Sequence, residues 1–315
     1  MKKYILYIIG VLLLFGQAGK ISAQQDAIYN MYLLNQFVIN PAYAGARDAI
    51  SIVGDMRNQW VSFPGAPKTS FISVHAPIKR YNLGYGLSAL SDAIGAKNNS
   101  AVYGTVSYIL KISSNWKLSF GLRAGITNYK FDLSKTSYKD ATDNSFLMLN
   151  NYNKTVFDMD AGIYLRSRGF YTGLSITHIN QAKVVNGTFN TNTGTSDLVY
   201  TLVPHTFFII GKSFFINNNF LLNVNYLHRI TQGSSGGDLS LNTLLYNRVW
   251  LGVFGRSDYG GGALIQLIVT KSLRIGYSYD VGGGIKKALG PTHEIMIGWD
   301  IRAKNNTSVI SPRFL

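Results

Sequence analysis

The stretch "WKLSFGLRAGIT", residues 116–127, decides the fold. Its even positions (Trp116, Leu118, Phe120, Leu122, Ala124, Ile126) are all apolar, and its odd positions (Lys117, Ser119, Gly121, Arg123, Gly125, Thr127) are not. A helix here would carry two interior glycines at about 1 kcal/mol each, and an ordinary globular strand ends after about five or six residues. The stretch therefore reads as a long strand with one oily and one wet face.

The same rule returns along the chain. "NFLLNVNYLH" puts Phe220, Leu222, Val224 and Tyr226 on one face, and "SLRIGYSYDV" does the same with Leu273, Ile275, Tyr277, Tyr279 and Val281. In "HEIMIGWDIR", Ile295, Ile297, Trp299 and Ile301 oppose Glu294, Gly298, Asp300 and Arg302. A soluble sandwich also alternates, but with shorter strands and with charge on its outer face. A transmembrane barrel needs segments of about 10 residues, aromatic girdles and a polar lumen. With 20 Tyr, 17 Phe, 4 Trp and 32 Gly, the composition sides with the barrel.

Connections between the periodic segments alternate in length. "NQWVSFPGAPK" and "DAIGAKNN" are long, "KRYN" and "SSN" short; two very long stretches, about 133–155 and 181–202, flank the short "SRG". "FINNN", "TQGSSGG", "NR", "SDYGG", "TKS" and "VGGGIKKALGP" continue the rhythm. Seven longer connections alternating with six shorter ones predict an all-β, fourteen-stranded antiparallel outer-membrane barrel over residues 48–302. Its short turns and both termini would be periplasmic, with 303–315 as a C-terminal periplasmic tail.

Residues 1–23 open with Lys2 and Lys3, run apolar from Tyr4 to Phe15 and close on Ser22 and Ala23. That is the order of a secretory signal peptide, and the apolar run is short against the roughly 20 residues a spanning helix needs. Residues 24–47 then form an N-terminal segment, periplasmic or tucked into the lumen as a plug. The chain has no cysteine, which excludes a lipid-anchored amino terminus, disulfides and thiolate chemistry. With 30 Lys+Arg against 15 Asp+Glu, the basic balance suits anionic lipid headgroups or an acidic partner; export argues against nucleic acid.

Catalytic inventories are thin. Glu294 is the sole glutamate, which excludes a paired-Glu glycosidase and an HExxH zinc site. Asp158 and Asp160 share a face with Arg166 and read as lumen carboxylates neutralised by lumen arginines. Strand parity places His178, His228 and His293 on the oily face and leaves only His75 pointing inward. "GGG" at 260–262 and 282–284 falls where turns are expected, without the Lys-Ser/Thr of a phosphate loop. The proposed inner face mixes signs closely (Asp55, Arg57, Arg123, Asp158, Asp160, Arg274, Asp280, Glu294, Asp300, Arg302), so a salt-bridged, largely filled lumen is expected. No catalytic, metal or cofactor site is expected.

The N-terminal region resembles a known family. "QQD" at 24–26, the aromatic "YNMYLLN", "NPAYAG" at 40–45, and "RNQWVSFPGAPKTSFISVHAP" from Arg57 match the PorP/SprF-like outer-membrane proteins of the type IX secretion system of Bacteroidota. In the last stretch Arg57, Gln59, Trp60, Gly65, Pro67, Thr69, Ser73 and Pro77 stand at the motif positions, and "SPRFL" resembles the family's ending. "DAIYN" departs from the family's more frequent Asp-Pro and Ser/Thr-Gln pair. The resemblance implies protein secretion and cell-surface attachment of a cargo such as an adhesin, gliding-related in some relatives. It implies as partners the secretion machinery and a cargo with a C-terminal targeting domain, besides membrane lipid. A porin for small solutes is the other reading.

Within the signature, Pro41 fixes its own φ, pushes Asn40 extended, and Gly45 permits a left-handed exit. Two readings stay open for Tyr29, Tyr32, Phe37 and Tyr43: chain reversal into the first strand, or a plug and partner contact. The stretches at 133–155 and 181–202, rich in Asn, Thr and Tyr, are the candidate cargo contacts.

Overall fold

The computed structural model describes residues 27–132, 152–191 and 194–302. The chain forms β1 (Ile50–Asn58), β2 (Lys68–Ile78), β3 (Leu83–Ile94), β4 (Lys97–Lys111), β5 (Lys117–Phe131), β6 (Tyr152–Ser167) and β7 (Phe170–Thr177). It continues with β8 (Lys183–Thr191), β9 (Gly194–Thr201), β10 (His205–Asn217), β11 (Phe220–Thr231) and β12 (Ser234–Leu245). The last four are β13 (Val249–Arg256), β14 (Gly260–Ile268), β15 (Leu273–Gly282) and β16 (Thr292–Ile301).

Fourteen of these close into an antiparallel barrel in which each strand pairs with its sequence neighbour, except that β7 pairs with β10. β1 returns to β16 from Ile50↔Ile301 to Asn58↔His293. The end carrying Ile50 and Ile301 is the lower end here, the other the upper. β8 and β9 form a separate hairpin against β6, so the stretch expected as one long connection at 181–202 is a β-hairpin. Most of the other long stretch, 133–151, lies outside the described residues.

The even/odd rule holds along the wall. Leu122 is 61% exposed and Val102 56%, whereas Ser119, Arg123 and Thr127 are buried inside. Because the lipid-facing side chains need no partner and the inner ones do, β4 alternates over more than the roughly 10 residues that span a bilayer, and the central parts of β5 and β6 follow the same rule. Exposed aromatics mark the two bilayer edges: Tyr108, Trp116 and Trp299 below, Tyr226, Tyr277 and Tyr279 above.

Connection lengths alternate less strictly than expected. At 92–99 and 231–237 the strands run on, leaving only residues 95–96 and 232–233 as turns, and 257–259 is nearly as tight. The cross-strand ladder continues through those polar residues because Asn and Ser can face the upper solvent on either side of a strand. The long upper connections among the described residues are 59–67, 178–204 and 283–291.

Candidate functional site: a plugged lumen and its upper rim

Before β1 the chain does not stay outside the barrel. Residues 30–46 fold as three short 3-10 turns, Met31–Leu33, Gln36–Val38 and Pro41–Tyr43, packed inside the wall. Met31, Leu33, Phe37, Ala42 and Ala44 are essentially sealed from solvent. Relative to a water-filled lumen, burying Phe37 or Leu33 is worth about 1.5–3 kcal/mol each. Two apolar clusters divide the plug. Tyr32, Phe37, Ile39 and Tyr43 pack with Tyr164, Tyr171 and Ile209, and Met31 and Leu34 pack with Val53, Trp250, Leu264 and Met296.

On the β15–β16–β1 side the plug is held by charge. The Glu294 carboxylate accepts from the Asn30 amide at 2.8 Å, the Met31 amide at 2.7 Å and Arg57 Nη1 at 2.8 Å. Arg57 also reaches Asp280 at 3.2 Å, and Asn30 Nδ2 donates to Ser278 and Asp280. Lower down, Arg274 donates to Leu34 O, and Arg47 pairs with Asp300 at 3.1 Å. The pairing of Arg57 on β1 with Glu294 on β16 bridges the strand pair that closes the barrel, and the plug's backbone is tied to that same carboxylate.

On the β3–β7 side contact is mostly to backbone, and among the described residues Arg123 is the one charge that joins it, donating to Val38 O at 3.4 Å. Asn40 is extended (φ −140°) and caps the Pro41 turn by accepting from the Ala42 amide at 2.9 Å. Its Nδ2 donates to the wall carbonyls of Ile163 at 3.1 Å and Leu174 at 3.4 Å. Ser175 and Ser107 donate to Ile39 O and Ala44 O. Glycines make the approach possible: a Cβ on Gly121 would stand 2.3 Å from the Ala42 nitrogen, and one on Gly162 2.2 Å from Asn40 Oδ1. Gly45, at φ +69°, turns the chain out, and its amide donates to His75 Nδ1 at 3.2 Å. His75 is thus a buried acceptor between the rings of Phe37 and Tyr43.

Tyr43 meets Tyr164 edge-on, Tyr164 donates to Gln36 Oε1, and Asn225 donates to the Tyr32 hydroxyl. Tyr29 stands at the top of the plug, its ring against Phe71 and its carbonyl accepting from Arg256.

The remaining signature residues sit at the upper rim. The Gln59 amide donates to Pro67 O, closing the 59–67 connection, and Gly65 (φ +75°) accepts from Gly95. Trp60 stacks on Tyr259, and Thr69 donates to Asp92 at 2.6 Å. Among the described residues the quoted motifs therefore fall mainly in the plug and the rim, with Arg57 between them and Ser73 and Pro77 further down β2; the signal-peptide stretch, "QQD" and the tail with "SPRFL" lie outside the described residues.

Of the expectations about the lumen, one holds in part and one changes. A lumen arginine, Arg123, pairs with Asp160, while Asp158 accepts from Tyr103 and meets His178 Nδ1 at 2.7 Å instead of an arginine. Arg123 lies opposite Asp160 across the β5–β6 ladder, closer than Arg166 six residues along its own strand. His178 does not face lipid, and His75 is not alone inside. β7 stops at Thr177, and the left-handed φ of His178 (+55°) turns its ring into the lumen beside the buried His205. Parity fails there because it holds only while the strand continues. The glycine triplets pair across β14 and β15 at Gly260↔Gly282, as strand-end glycines.

A small cavity of about 80 Å³ lies over the plug, lined by Ala27, Tyr29, Phe71, Tyr103, His178 and Phe207 among others. Asp158, Asp160 and His178 stand close enough to resemble a ligand set, but their oxygens and ring nitrogen are engaged by Tyr103, Arg123 and one another.

The sequence model of the family described as "Type IX secretion system membrane protein PorP/SprF" matches residues 21–299. No curated protein matches the sequence significantly. Among solved structures, CymD, a monoaromatic hydrocarbon channel, superposes with a TM-score of 0.51 at 10% identity, covering 90% of this chain and 95% of CymD. The Ralstonia pickettii toluene transporter TbuX gives 0.49 at 9% identity, over 84% of this chain and 92% of its own. A Pseudomonas aeruginosa FadL homologue gives 0.48 at 11%, over 84% and 93%. The likeness to CymD is one of barrel fold.

Proposed function

Because the chain belongs to the PorP/SprF family of type IX secretion system membrane proteins, we propose that it serves secretion and surface attachment of a cargo, such as an adhesin, by binding protein. The observation that carries this reading over a small-solute porin is the plug: a buried, aromatic, salt-bridged segment occupies the lumen that a porin keeps open. The upper end, with the 59–67, 178–204 and 283–291 connections and the stretch 133–151, would face outside and hold the cargo's targeting domain. The lower end would meet the periplasmic machinery, with the tail from residue 303 on that side.

The test is affinity purification of the tagged barrel from gently solubilised outer membranes. Recovery of a large secreted protein supports the reading, and shortening both 133–151 and 181–202 should then release that cargo into the medium with the barrel intact. A barrel recovered alone from cells that make cargo, together with steady conductance of the intact chain in planar bilayers, would move the assignment to the porin.

A further inference from the structure

The plug crosses the lumen in one direction, and its contacts say which. At its start, Tyr29 O accepts from Arg256, the last residue of β13 at the upper end, and the Tyr29 ring meets Phe71 in the upper part of β2. Ala27 lines the small cavity together with Thr177 and His178, at the upper end of β7. At its finish, Ala44 O accepts from Ser107 in the lower part of β4, and Arg47 pairs with Asp300, beside Ile301. From Ala27 to Arg47 the segment therefore descends, antiparallel to β1.

We infer that the chain enters the barrel from its upper end, with Ala27 at the mouth among the long connections there, and leaves it after β16 at the opposite, lower end. An even strand count brings the start of β1 and the finish of β16 together, but it says nothing of a segment that recrosses the lumen first. Cleavage after Ala23 leaves Gln24, Gln25 and Asp26 ahead of Ala27, a reach of about 10 Å at most. That cannot return through a hydrocarbon layer of about 30 Å, and the way down is filled by Gln36, Phe37, Ala42 and Ala44, all buried. On the cargo-binding reading above, on which this consequence rests, a cargo seated at the upper end touches the plug itself at Ala27 and Tyr29. From there Asn30 and Met31 lead directly to Glu294 at the barrel seam.

The chain has no cysteine, so single-cysteine variants report position cleanly. Gln25→Cys is compared with Ser62→Cys in the 59–67 connection and Ser114→Cys in the lower 112–116 connection, using a membrane-impermeant maleimide on intact cells. Asp26→Cys replaces Gln25→Cys if the latter fails to reach the membrane. Labelling of Gln25→Cys alongside Ser62→Cys, at ten-fold or more above Ser114→Cys, is the expected result. Labelling of Gln25→Cys only after permeabilisation, together with Ser114→Cys, overturns the inference, as does labelling only after denaturation. The two controls alone report which end is outside, so a barrel of opposite orientation would break the cargo reading while leaving the shared position of Gln25 and Ser62 to be scored on its own.

Discussion

The two flanks of the plug are held by opposite means. Toward β15, β16 and β1, a few buried charges make directional contacts: Glu294, Arg57, Asp280, Arg274 and Asp300. Toward β3 to β7 a single charge among the described residues, Arg123, reaches the plug, at the Val38 carbonyl; elsewhere glycines let main chain lie on main chain, with Asn40 inserted between two wall carbonyls. The charged flank coincides with the seam that closes the barrel, so the plug and the closure share a carboxylate. The glycine flank is a shape match, and its tolerance is steric.

Removing Glu294 should break this contrast most deeply. Glu294→Ala leaves Arg57 and the Asn30 and Met31 amides without their shared acceptor. Loss of one partner of a buried ion pair costs about 3–5 kcal/mol. The expected outcome is loss of the heat-resistant band on cold SDS gels, and an unchanged melting midpoint in detergent would show the seam does not depend on the plug. On the other flank, Gly121→Val or Gly162→Val should expel the plug without opening the seam. Overpacking costs about 1–3 kcal/mol, so the barrel stays folded, becomes cleavable by protease within 27–47 and gains conductance. Conductance equal to the parent chain would refute the steric account.

Asn40→Ala sharpens the comparison with a smaller effect. It removes a cap worth about 1 kcal/mol along with the donors to Ile163 and Leu174. A modest fall in the detergent melting midpoint is expected, with the lumen still closed; a change as large as that of Glu294→Ala would mean that the two flanks are not energetically distinct.

Much of the wall was legible before the fold was known. The alternation that begins at Trp116 predicted which side chains meet lipid and which meet the lumen, and the rhythm of connections predicted fourteen strands, as the closed barrel shows. What misled was local: His178 was assigned by the parity of a strand that ends one residue earlier, and the spacing along β6 could not show that the arginine for Asp160 is Arg123, on the neighbouring strand. The plug motifs could be quoted as a signature, but their contacts could not be named. The clue to the glycine flank was present in the glycines at lumen positions of β5, β6 and β7, which an inner wall facing water does not need.

By itself the sequence determined that this chain is a long-stranded barrel with an oily outside, that it resembles the PorP/SprF family, and that its lone glutamate faces inward. A period of two is a property of neighbouring residues and survives without knowledge of partners. Only the tertiary structure decided that Glu294 accepts the amides of Asn30 and Met31, 264 and 263 residues away, and that the plug runs downward. Those contacts depend on the closure of the barrel around the segment, and no local spacing carries the direction in which a chain crosses an enclosed lumen.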